Sequence, residues 1–246
     1  TVGDLYLGKV KKLMPGLNAA FIDVGFEKDA FLHYTDLSPY VKSILKFTNV
    51  CVNDKSETGF DFSKFLVEPE IVKTGKITEV LNGKPNVLVQ ILKEPIAAKG
   101  PRLSCELSLP GRFVVITPFN DIIAVSRKIH SSDERKRLHK IIEAIKPKNF
   151  GVIVRTAAEG KHTAELHEDL LSLVNTWKTM MANLKGATAP AKILSEQGKT
   201  NSMLRDLLNE DFNRIVVNDK NIFADTKTYI QRIAPEKADI VTFYNN

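Results

Sequence analysis

The 246-residue chain holds only two cysteines, Cys51 and Cys105. They have no metal-ligand spacing and suggest no disulfide framework, and a reducing cytoplasm fits them best. No apolar run approaches the ~18 residues that crossing a bilayer needs, so no membrane partner is expected. Thr1 is not an initiator Met and no signal-peptide pattern follows it, which leads us to expect a piece of a longer protein. There is no Gly-x-x-x-x-Gly-Lys-Ser/Thr loop, no strand-placed Gly-x-Gly-x-x-Gly and no Cys-x-x-Cys. P-loop and dinucleotide chemistry therefore lose their sequence support. The histidines His33, His130, His139, His162 and His167 lack zinc-like spacing, apart from a loose His162/His167 pair that reads as a helix surface. Metal-assisted hydrolysis needs carboxylates that converge on a cation. The acids of the last third, Asp206, Glu210, Asp211, Asp219, Asp225 and Asp239, are scattered singly. Asp219 reads as a turn residue after Asn218.

What is present begins with charge. The chain carries a formal net charge of +6, unevenly spread. Residues 51–70 hold two basic against five acidic groups. Residues 71–112 hold seven against three and 126–149 eight against three, whereas the last 97 residues balance at twelve each. Basic charge gathered in the first 150 residues suits a polyanion footprint; a solvated Lys-rich surface would leave the same trace.

Residues 1–38 read as three short strands. Leu5 to Leu13 alternates and is Lys-rich, and Pro15-Gly16 closes it. In Asn18–Leu32, two strands joined by a polar turn at Gly25–Asp29 would carry Phe21 and Phe31 as neighbours on one face. Paired rings on a small basic barrel are what stacking on unpaired bases requires, since every base has a π face; the plainer reading makes both rings core. Residues 39–70 lose periodicity and read as a long loop or insertion. Strands resume at Val87–Leu92, Leu103–Leu107 and Phe113–Ile116, which suggests a small barrel. Leu138, Ile141, Ile142 and Ile145 mark a helix, and Gly151–Val154 a buried strand. A long helix capped at Thr163 follows, with Trp177 on its core stripe and Gly186 ending it. After Pro190 the chain reads strand (Lys192–Leu194), helix (Ser202–Asn209), strand (Arg214–Val217), helix (Ile222–Ile233), strand (Ile240–Phe243). Such alternation implies a partly parallel α/β layer, and three strands make a poor sheet alone.

Arg155 and Thr156 stand at the carboxyl end of the Gly151–Val154 strand, where α/β layers place ligands. An Arg fork, a Thr hydroxyl and loose amides can cradle a terminal phosphate. Pairing of Arg155 with Glu159 or Glu165, and a turn-capping Thr156, would explain the same residues.

Several motifs in register then point one way. Asp4-Leu5-Tyr6-Leu7-Gly8-Lys9-Val10, Pro15–Gly25, Val89–Glu94, Lys99-Gly100-Pro101-Arg102-Leu103, Ser108-Leu109-Pro110-Gly111-Arg112-Phe113 and Ile153-Val154-Arg155-Thr156-Ala157 together resemble the RNase E/G endoribonucleases over nearly the whole chain, the stretch 39–70 excepted. The resemblance implies an α+β, multi-domain fold. Residues 3–100 would form an S1-like RNA-binding barrel of the OB type, 101–187 an α/β domain sensing a 5′-monophosphate, and 188–246 part of an RNase H-like layer. Phe21, Phe31 and Lys99 would hold single-stranded RNA; Gly111 and Val115 would floor the 5′ pocket, where a glycine permits close approach of the nucleotide; Arg155 and Thr156 would grip the phosphate. It further implies that the family's magnesium-binding aspartates, its Cys-containing zinc linker between subunits and an Arg closing the 5′ pocket lie in a further domain downstream. Cleavage and homo-oligomer formation would then belong to the full-length parent, and this piece would bind RNA without cutting it. Two other readings compete. One is a standalone S1-type RNA-binding module without nuclease activity; the other is a carbohydrate- or protein-binding barrel, whose binding would hardly change with salt.

Overall fold

In the computed structural model, residues 1–97, 99–196, 198–208 and 212–244 are described. The expected strands of residues 1–38 form an antiparallel meander: β1 (Leu5–Met14), β2 (Ala19–Asp23) and β3 (Ala30–His33). β4 (Asn86–Lys93) pairs with both β1 and β5 (Arg102–Ser104), and β5 meets β3 in a parallel pair at Phe31↔Arg102. The five strands thus close a barrel of the OB-fold-like kind. Alternation decides the faces: Ala20, Ile22, Ala30 and Leu32 are fully buried, while Phe21 and Phe31 between them are half-exposed. At Gly8 the barrel is too tight for a side chain, since a Cβ there would fall 2.5 Å from Ile22 Cγ2.

Residues 39–70, expected as a loop or insertion, instead contain helix α1 (Val41–Val52). Its buried face is Val41, Ile44, Phe47, Thr48 and Cys51. Valine, isoleucine, threonine and phenylalanine are weak helix formers, so packing decides this helix where propensity does not. Phe47 lies at the centre of a ring cluster, with centroids 5.4 Å from Phe62, Phe119 and Trp177, 5.8 Å from Phe65 and 6.4 Å from Phe60. Asn149 stitches the segment down by donating to the carbonyls of Phe62 and Phe65, 2.9 Å each. A single turn, α2 (Ile77–Val80), leads into β4.

A second sheet holds β6 (Leu109–Pro110), β7 (Val114–Pro118), β8 (Ile123–Val125) and β9 (Phe150–Val154) in the order β6-β7-β9-β8. Its pairs are antiparallel except β8 with β9. The three-residue β8 gave no sequence signal. Beside the sheet lie α3 (Ser132–Ile145) and α4 (Thr163–Leu184). Trp177, 1% exposed, is core as expected. The cap of α4 falls one residue earlier than read, at His162, whose N–H donates to Glu165 at 2.9 Å. β10 (Ala191–Leu194) runs antiparallel to β1 on the side away from β4, so it extends the barrel's sheet and does not join the α/β strands that follow it. Lys192 anchors it to the buried Asp4, 2.8 Å away. One continuous core joins all of this into a unit spanning residues 1–196.

Residues 197–246 form a second unit. It contains α5 (Lys199–Leu207), β11 (Ile215–Val217), α6 (Lys220–Ile233) and β12 (Val241–Phe243), and β11 and β12 pair in parallel as the alternation predicts. Asn209, Glu210 and Asp211 lie outside the described residues. Asp219 is the N-cap of α6, accepting the N–H groups of Asn221 and Ile222, so its role is helix capping. Both cysteines are free, and burial pushes each thiol up to about 12. No helix among the described residues is long and apolar enough to cross a membrane.

Candidate nucleic-acid interface

The outer face of the barrel carries one continuous row. Lys12 of β1 pairs with Phe21 of β2, Phe21 with Phe31 of β3, Phe31 with Arg102 of β5, and Arg102 with Lys93 of β4. Residues paired across strands share a face, so two rings sit side by side with basic groups at both ends. The register shifts at Val10/Lys12 and at Ile91/Lys93; such bulges re-aim the side chains next to them. Phe21 and Phe31 meet edge-on with centroids 5.9 Å apart, and His33 stacks on Phe31 at 6.4 Å. Lys99 lies on the β4–β5 loop, two residues before Pro101, whose carbonyl accepts the Phe31 N–H at 2.8 Å. Its side chain is exposed.

The charges on this face are unequal. Lys11 is engaged by Asp29 (3.0 Å) and Asp23 (3.2 Å), and those carboxylates raise its pKa. Arg102 makes a bidentate bond to Asp36, with Nε–Oδ2 2.9 Å and Nη2–Oδ1 3.0 Å, which raises its pKa in turn. Asp36 thereby holds Arg102, the register partner of Phe31, while Lys12 and Lys93 are exposed.

The second cluster forms at one end of the β6–β9 sheet. Arg155 follows β9; its N–H donates to the Phe113 carbonyl and its guanidinium to the Gly111 carbonyl, each at 2.8 Å. Thr156 is exposed, and its hydroxyl lies 3.1 Å from that of Ser126, just past β8. Three of the four predicted residues, Gly111, Arg155 and Thr156, therefore surround one loop system. Val115 pairs with Ile153 on the strand, and its side chain lines a separate cavity of about 450 Å³ shared with Tyr40 and Leu107. The Gly160–Lys161 turn is pinned by α3: Glu134 accepts the Gly160 N–H at 2.8 Å, and Arg137 donates to the Lys161 carbonyl at 2.9 Å. Arg137 and then the Gly160 amide hold the Glu134 carboxyl down at about 2.

Asp169 of α4 went unnoticed in the sequence. Its carboxylate accepts the N–H groups of Arg112 (3.1 Å), Phe113 (2.8 Å) and Val114 (3.0 Å). A Cβ on Gly111 would fall 2.5 Å from Asp169 Oδ2. The close approach that glycine permits here is that of a carboxylate. Asp169 sits 14 residues beyond Arg155 on a polar helix face, and no local pattern could mark it. Lys12, His33 and Ser126 were missed too; only His33, two residues from Phe31 on the same strand face, had a signal that alternation could have raised. Among the described residues no three of His, Cys, Asp or Glu gather closely enough to hold a metal ion.

A closed five-stranded barrel with an outward aromatic–basic row, fused to an α/β module with an Arg–Thr–Ser end, defines the class of protein. The Ribonuclease E/G family model matches residues 108–246. Ribonuclease E of Nostoc is 36% identical over 231 residues, covering 94% of this chain and 30% of that protein. Ribonuclease G of Haemophilus influenzae is 30% identical over 244 residues, covering 99% and 46%, and Ribonuclease G of Escherichia coli K12 is 30% identical over 243 residues with the same coverage. This chain belongs to the ribonuclease E/G family, and it spans less than half the length of these relatives.

Proposed function

We propose that this chain is the RNA-recognition portion of a single-strand-specific endoribonuclease, a hydrolase of RNA processing and decay working in a reducing, cytoplasm-like compartment. The observation that carries this is the Lys12–Phe21–Phe31–Arg102–Lys93 row. Two half-exposed rings offer platforms for successive bases, and the flanking cations meet the phosphates on either side. Stacking does not read base identity, so the row accepts any unpaired sequence. Lys99 adds an exposed charge at its edge.

The Arg155–Thr156 cluster is the 5′-monophosphate site in this reading. Arg155, fixed by the Gly111 carbonyl, supplies a fork matched to phosphate oxygens, and the Thr156 and Ser126 hydroxyls donate beside it. Gly111 borders the site through the carbonyl that holds Arg155, whereas Val115 lines the separate cavity and is not part of its floor. Because Asp169 fills the amides of residues 112–114, the phosphate is held by side chains and not by that amide nest. The domain scheme 3–100, 101–187 and 188–246 is part of the same proposal. Magnesium would serve the parent enzyme, but the described residues offer no carboxylate set for it, so no cleavage step is derived from them.

The test is binding of unstructured RNA and its dependence on salt. Phe21→Ala with Phe31→Ala should weaken binding by about thirtyfold or more, from ~1–3 kcal/mol for each of two stacked bases, while the circular dichroism spectrum is retained. Binding unchanged by the double substitution would exclude the barrel face as the platform.

A further inference from the structure

Arg135 of α3 donates to the carbonyls of Ser126 (2.6 Å), Val125 (3.2 Å) and Ile129 (3.4 Å), which clamps the helix against the end of β8. Between helix and strand lies a cleft of about 670 Å³. Its β8 wall is an edge strand, bonded to β9 alone. Arg127, His130, Lys136, His139 and Lys140 line it against one acid, Glu143. Lys136, His139 and Lys140 recur at i, i+3 and i+4, so the helix presents them as one stripe. None of these five side chains takes part in a hydrogen bond or ion pair among the described residues. Arg127, Lys136 and Lys140 repel one another with Glu143 alone among them, and an anionic ligand relieves that repulsion.

The cleft begins one residue beyond the Arg155–Thr156 cluster. Ser126, whose hydroxyl meets that of Thr156, immediately precedes Arg127 in the cleft lining. We propose that the cleft binds the sugar–phosphate backbone of the nucleotides that follow the 5′-terminal one, a contact surface separate from the barrel row. Its direction along the strand rests on the 5′-monophosphate reading above. Contacts to phosphate carry no sequence information, so the cleft should serve any RNA strand. An acidic protein segment is the competing occupant. The one-residue step from Ser126, at the Thr156 hydroxyl, to Arg127 of the cleft favours RNA, because a strand whose 5′ phosphate is held at Thr156 brings its next phosphates towards Arg127.

The test compares Lys136→Gln/Lys140→Gln with a charge-matched control, Lys220→Gln/Lys227→Gln, on the helix of the other unit. Fluorescence anisotropy would measure binding of two- and ten-nucleotide RNAs, each with a 5′-monophosphate or a 5′-hydroxyl, over a salt series. The expected result is a roughly tenfold weaker hold on the ten-mer. Its salt slope should fall by about 1.4, or ~0.7 for each lost single-strand phosphate contact. The dinucleotide and the control should be unaffected. A ten-mer affinity that is unchanged, or reduced equally by the control, would overturn the proposal. Loss of the cleft effect is distinct from failure of the 5′ reading, which would show as equal affinity for the two 5′ ends in the unsubstituted chain.

Discussion

Two groups of aromatic rings in this protein have the same chemistry and opposite fates. Around Phe47, the rings of Phe62, Phe65, Phe119, Phe150 and Trp177 are buried and tie α1 and the segment after it to α4 and the second sheet. On the barrel, Phe21 and Phe31 touch each other at 5.9 Å yet keep part of each ring in water, among Lys12, Arg102 and Lys93. Burying a ring stabilises a fold by about 1.5–3 kcal/mol, and the barrel pair gives up part of that. If the barrel pair is the platform proposed for it, exposure and company, not residue type, separate it from the core.

Substituting the centre of the buried cluster is the strongest way to break the comparison. Phe47→Ala should cost about 3–5 kcal/mol of stability, read by urea unfolding, while the protein that remains folded binds RNA with unchanged affinity. A selective loss of RNA affinity without loss of stability would erase the distinction. Next comes Asp169→Ala, which strands three amide donors and should cost about 2–3 kcal/mol. It should also reduce the preference for a 5′-monophosphate, whereas a purely structural role would leave that preference intact. Phe31→Leu sharpens the contrast further, because it keeps an apolar side chain and removes the π face. RNA affinity should fall about five- to tenfold, near 1 kcal/mol, with a melting temperature within about 2 °C of the original.

The smallest effect expected concerns pH. Glu134 titrates at about 2, against an ordinary value of 4.5, because Arg137 and the Gly160 amide favour its charged form. A depressed carboxyl stabilises the fold above its unfolded pKa and loses that contribution as pH falls from about 4.5 towards 2. Glu134→Gln should flatten this acid limb and lower the melting temperature at pH 7 by about 2–4 °C at most. An unaltered acid limb would show that the Gly160–Lys161 turn is held by other bonds.

Much of this was legible in the sequence because the signals were local. The β2–β3 alternation put Phe21 and Phe31 on one face, and the α4 stripe put Trp177 inside. Arg155 and Thr156 could be nominated because they close an apolar strand. What stayed hidden depends on distant partners. Helix α1 is built from poor helix formers that succeed only against rings far along the chain. The partner of Gly111 is a carboxylate 58 residues away, and the basic row needs five strands in register before Lys12, Arg102 and Lys93 meet it. The strand at Lys192–Leu194 was recognised as a strand, but its pairing with β1 is a contact across more than 180 residues that no periodicity records.

The measurement that tests the central claim most directly is binding of one short single-stranded RNA carrying either a 5′-monophosphate or a 5′-hydroxyl. It would be done at one salt concentration with the unsubstituted chain and with Arg155→Ala. Tighter binding of the monophosphate is expected, with loss of that preference in Arg155→Ala and no change in the residual affinity of the barrel row. Equal affinity for both RNAs in the unsubstituted chain would contradict the 5′ site.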